Sequence, residues 1–136
     1  MAGSKTDNGE NKVLDAILND TAMSVGAVYL AMLTSDPTDT GQAGTEAVNG
    51  GYARELIEFD PAASGATANT YLESFGTASA DWSTGSNITH LVITNAAAAA
   101  LDGTNTFYHG DWDVAKPVLN GDEAQVAIGA LDITES

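Results

Sequence analysis

The chain has 136 residues and no cysteine, and its 19 acidic side chains against four cationic ones give a formal net charge of −15. That length fits one domain with a single hydrophobic core, and the missing thiols remove disulfide frameworks, thiolate metal sites and cysteine nucleophiles together. Lys5, Lys12, Arg54 and Lys116 are too few and too scattered for a basic patch, so nucleic acid is not an expected partner. No apolar run approaches the roughly 18–20 residues that span a bilayer, so no membrane partner is expected either.

Residues 1–10 carry Gly, Ser, Asp and Asn and read as a flexible arm, with no apolar segment behind a basic start and therefore no secretory signal. Residues 11–136 are expected to form one domain. Its first element is a short helix in which Val13, Leu14, Ile17 and Leu18 share one face, with Asn11 as N-cap and Asn19-Asp20-Thr21 as the stop. A helix this short does not persist alone in water. Its four apolar side chains must be covered by the domain itself or by a neighbouring subunit, which makes them the candidate assembly contact; the arm ahead of them favours the neighbour.

From Val25 the pattern is that of strands. Residues 25–34 are apolar on both faces, as in a buried central strand, and end in the turn chemistry of Ser35-Asp36-Pro37. Tyr52 to Phe59 forms a second strand, closed by Asp60-Pro61. The stretch 62–80 is small and polar, with one short pattern at 70–75. Ile88 to Thr94 is a further strand. Thr106 to Trp112 and Ala115 to Leu119 are expected as a hairpin partner set, and Asn120-Gly121-Asp122 as a turn before a last strand over 124–134. The whole predicts a mainly β fold, an antiparallel β-sandwich (jelly-roll-like) of about six to eight strands behind one short helix.

An apolar fraction of 43% argues that so acidic a chain still folds. Repulsion within a −15 domain opposes the compact state in dilute buffer and fades at about 1 M salt, where the Debye length is roughly 3 Å. Adaptation to high salt is therefore expected.

No arrangement of side chains demands catalysis. Asp36, Asp39 and Glu46 lie near a Gly-bearing loop without EF-hand spacing. His109 with Asp111 and Asp113 offers at most a weak divalent-cation site, Gly110 and Trp112 fitting a tight bend equally well, and His90 reads as a half-buried structural residue. With 19 acids, chance carboxylate pairs carry no signal. No nucleophile elbow, phosphate loop or zinc-protease motif is present. No enzyme activity and no cofactor are expected. Arg54, the single arginine, is the expected structural cation, its fork holding Asp60 or a loop carbonyl. Trp82 and Trp112 read as core or interface anchors, and Asn19 and Asn87 begin glycosylation sequons.

Several stretches together resemble a family of small tailed-phage structural proteins described as tail fibre or minor virion proteins. They are the helix at Val13 to Leu18, Ala27 to Thr38, Gly50-Gly51-Tyr52-Ala53-Arg54, Ala80-Asp81-Trp82, Thr89 to Ile93, and Gly129 to Thr134. The resemblance implies a β-sandwich subunit of the virion without catalytic residues. It points to a homo-oligomer bound to other virion proteins, the major capsid protein foremost. A capsid decoration or turret on the head of a halophilic tailed virus is the expected role, a tail or fibre component the alternative. The acid load, which departs from the family pattern, fits a haloarchaeal host; the run Asn95 to Ala100 departs as well. A reading of another class, a halophilic carbohydrate-binding module, requires an exposed aromatic platform from Tyr52, Tyr71, Tyr108, Trp82 and Trp112.

Overall fold

The structure, a computed structural model, describes residues 2–135. Its elements in chain order are β1 (Ala2–Lys5), α1 (Asp7–Leu18), β2 (Val28–Leu33), β3 (Glu55–Ile57), β4 (Ala66–Ala68) and β5 (Glu73–Thr77). A single 3₁₀ turn (Trp82–Gly85) follows, then β6 (Asn87–Thr94), β7 (Thr106–Pro117), β8 (Glu123–Val126) and β9 (Asp132–Thr134). A five-stranded antiparallel sheet in the order β1-β7-β6-β2-β3 faces two antiparallel ribbons, β4-β9 and β5-β8. The expected mainly β, sandwich-like fold with one N-terminal helix is what the chain adopts.

The central strands explain the two layers. Along β2, Leu30 and Met32 point between the sheet and the ribbons, where they pack with Leu91, Ile93, Trp82, Val126 and Leu131. Ala31 and Leu33 point the other way and close a smaller cluster with Val92 and Leu101. Burial on both faces is why this segment reads as an uninterrupted apolar run.

Three expectations are corrected. Within the expected arm of residues 1–10, Ala2–Lys5 pairs with β7, and α1 begins at Asp7 rather than after Asn11. Thr6 is the N-cap: its hydroxyl oxygen accepts from the Gly9 amide at 3.2 Å and donates to the Thr106 carbonyl at 2.7 Å. The expected division into Thr106 to Trp112 and Ala115 to Leu119 is absent, as is the alternative bend at Gly110 and Trp112, because β7 runs unbroken from Thr106 to Pro117. Irregular register against β6 absorbs the mismatch.

The expected last strand is split into β8 and β9. Gly129 turns the chain with φ 71°. Buried Asn69 supplies the hydrogen bonds that a neighbouring strand would otherwise give, donating to the carbonyls of Tyr71 and Ala127 and accepting from the Leu131 amide. Each half of the split strand then pairs with a different partner.

Candidate functional site: an open helix face beside a braced sheet

Among the described residues, helix α1 is hydrogen-bonded to the rest of the domain at its first turn. The Thr6 and Asp7 amides donate to the carbonyls of Phe107 (2.9 Å) and Asp39 (2.8 Å), and Asn8 Nδ2 donates to the Thr106 carbonyl at 3.0 Å. Gly9 lets the first turn lie on β7, since a Cβ there would stand 2.3 Å from the Phe107 carbonyl oxygen. Val13 stays half-buried, whereas Leu14, Ile17 and Leu18 are 52%, 73% and 72% exposed. Of the four candidate contact residues, Val13 alone is turned toward the domain; it lines an apolar groove of about 280 Å³ with Met23, Val25, Val28, Phe59 and Phe107. Met23 is itself 53% exposed, so apolar surface is also open at the mouth of this groove. Sequence periodicity found the helix face but not Gly9 or Met23. The signal for the true start was Thr6 followed by Asp7 and Glu10 in the first turn.

Arg54 shows the opposite treatment. Its Nε and Nη2 donate to the two carboxylate oxygens of Glu46, each at 2.7 Å, and Nη1 donates to the Ala96 carbonyl at 2.6 Å. The carboxylate partner is therefore Glu46 and not Asp60, and the alanine-rich run supplies the loop carbonyl. Tyr52 completes the brace, its hydroxyl donating to Glu46 Oε1 at 2.8 Å and accepting from the Met32 amide at 3.0 Å. Burial, followed by the Glu46 charge, pushes the Tyr52 phenol far above its ordinary range; the Glu46 hydrogen bond raises the Arg54 guanidinium further. A side chain that is 4% exposed has its charge fully engaged inside the molecule. This brace ties the loop at residue 46, the start of β3 and the loop after β6 into one unit.

The remaining sequence candidates do not gather at one open site. Trp82 is buried at 1% exposure, edge-on to Tyr52 (4.9 Å between ring centroids) and Phe75 (5.7 Å), so it is a core anchor. Trp112 is half-buried and lines, together with Trp82, Lys116 and Glu123, one cleft at the edge of the core. Neither indole N–H has an acceptor among the described residues. Tyr108 is half-buried and donates to Glu135 at 2.8 Å, while Tyr71 stands exposed elsewhere. These five aromatics form no shared exposed platform.

His109 Nε2 lies 3.0 Å from Ser4 Oγ and 3.3 Å from Asp39 Oδ1, and His90 Nδ1 lies 2.8 Å from Thr89 Oγ1. Asp36 accepts the Thr38 amide, so Asp36, Asp39 and Glu46 serve three separate contacts. Among the described residues no group of three or more His, Asp or Glu is placed to hold a metal ion. Asn19 caps the end of α1 and donates to Asp15 at 2.8 Å; Asn87 is the exposed first residue of β6.

A family model described as podophage GP4 fiber I protein gp80 matches residues 4–134, which include every element from α1 to β9. A search of curated proteins finds no match.

Proposed function

The chain belongs to the podophage fiber I protein family and is a protein of the virion; from that premise we propose that it is a non-enzymatic fibre subunit held on the particle through the open face of α1. The observation that supports this reading is the exposure of Leu14, Ile17 and Leu18 on a helix whose other end is pinned to the sheet. A subunit that transmits force or spacing needs a rigid body and a sticky surface, and the brace and the helix face have those characters. Leaving so contiguous an apolar surface in water is unfavourable, and such surfaces mark association sites.

In this reading the protein is present as a homo-oligomer and contacts other virion proteins. Its excess of acids suits a particle that works in concentrated salt, where repulsion among the exposed carboxylates of a subunit is screened. A decoration or turret bound to the major capsid protein would use the same helix face. Subunit density in a particle reconstruction separates the seats: fibre attachment predicts copies at the tail, and copies repeated over the shell lattice would replace it with the decoration role. Absence of the protein from purified particles would refute both.

A further inference from the structure

We infer that the α1 face docks onto a different chain, one presenting an apolar socket or helix ringed by Lys or Arg, rather than onto a second copy of this protein. The inference rests on the reading of that face as a docking surface and names the chemistry of its occupant. Around Leu14, Ile17 and Leu18 the exposed charged residues of the helix and its exit are Asp7, Glu10, Asp15 and Asp20, all acidic. Lys12, the helix's one cation, is half-buried and lines the groove on the domain side. The open face therefore offers apolar side chains within a rim of one sign.

A second copy has almost nothing to set against that rim. Of its four cationic side chains, Lys5 is paired with Glu135 and Arg54 is 4% exposed and bound to Glu46. Lys12 faces its own groove, which leaves Lys116, far along the chain on β7. A two-fold contact between α1 faces would set the acidic rim of one copy against the acidic rim of the other. A head-to-tail contact would have one lysine to offer. Like charges enclosed in an interface are screened far less than exposed ones, so they cost affinity and reject partners, while opposite charges speed encounter and fix register. The groove beside Val13, Met23 and Phe59, about 280 Å³ and apolar, has room for an aliphatic or aromatic side chain from the same partner.

The test uses the full-length protein and three labelled synthetic helices, followed by fluorescence anisotropy at 0.15 M salt and above. One helix has a leucine stripe with lysine elsewhere, the second has the same stripe with glutamate, and the third has lysine and glutamine without leucine. The Leu/Lys helix should bind at least about tenfold more tightly than the Lys/Gln helix, weaken as salt rises, and leave the Leu/Glu helix far behind. Leu14→Ser/Ile17→Ser/Leu18→Ser should melt like the parent and bind the Leu/Lys helix no better than the Lys/Gln helix. Should that variant not fold, Asp15→Lys/Asp20→Lys serves instead, and should shift preference toward the Leu/Glu helix.

Equal binding of the Leu/Lys and Lys/Gln helices, or no loss in either variant, would overturn the inference. So would a dimer seen by light scattering that strengthens with salt and disappears in the triple variant, since the face would then belong to a second copy. A protein that is found on particles but fails these binding tests loses this inference and keeps its proposed role.

Discussion

The brace at Arg54 and the outer face of α1 handle awkward chemistry in opposite ways. At the brace a buried charge is surrounded until each guanidinium nitrogen donates to an oxygen. At α1, large aliphatic side chains are left in water although the domain has a groove beside them. The first arrangement fixes a loop junction, and removing any part of it leaves a polar group unpaired. The second adds little to the stability of the subunit and becomes favourable only when something covers it. On the proposed reading stability and association belong to separate regions, and substitutions should affect them separately.

The sharpest expected loss is Arg54→Ala. It strands Glu46 without its partner and leaves the Ala96 carbonyl and Tyr52 hydroxyl to rearrange, for a cost of about 3 kcal/mol, toward the low end for a broken buried pair because Glu46 is partly solvated. Chemical denaturation at constant salt checks it; a loss under about 1 kcal/mol would reduce the brace to a surface pair. Arg54→Lys keeps the charge but not the fork and should fall between the two.

Gly9→Ala comes next, with an expected cost of about 1–3 kcal/mol, because its methyl group meets the Phe107 carbonyl and must push the first turn of α1 off β7. Hydrogen exchange should show the amides of α1 losing protection while those of β6 keep theirs. Equal loss in both elements would mean that helix and sheet unfold as one, against a separable α1.

Salt distinguishes the two regions again. The midpoint of unfolding should rise between 0.1 and 3 M NaCl, as repulsion among exposed carboxylates is screened. The gap between parent and Arg54→Ala should persist, since their difference lies in a shielded pair. An unchanged parent midpoint would remove the basis for salt adaptation.

The smallest effect concerns Glu73, which is buried and has its carboxyl pKa raised by burial and then by the charges of Glu55 and Glu58. A raised folded-state pKa means that the native protein binds the proton more tightly than the unfolded chain does. Stability from this group therefore grows as pH falls from neutral through the raised value, and the gain is complete below the ordinary glutamate range. Glu73→Gln should modestly raise the neutral-pH midpoint and match the parent in acid; a lower midpoint at neutral pH would show that the carboxylate makes a needed contact.

The fold was legible where burial enforces a period. β2 and β6 read as strands because interior positions between two layers demand apolar residues on both faces. The helix was legible for the same reason, although its covered side is largely Gly9, Val13 and Ala16, and the conspicuous apolar stripe faces outward. Periodicity reports a stripe without saying what lies against it. β1, β4 and the split of the last strand were hidden because the pairing partners are remote, and Asn69 does its work through backbone groups that leave no pattern. Arg54 stood out as the single arginine, yet Glu46 was one of 19 acids, and only the loop geometry distinguishes it from Asp60.

The central claim, that α1 carries association while the sheet and its brace carry the fold, is tested most directly by particle incorporation of Leu14→Asp/Leu18→Asp. Both positions are more than half exposed, so the variant should fold and melt like the parent and be missing from purified particles. Incorporation at the parental level would contradict the account.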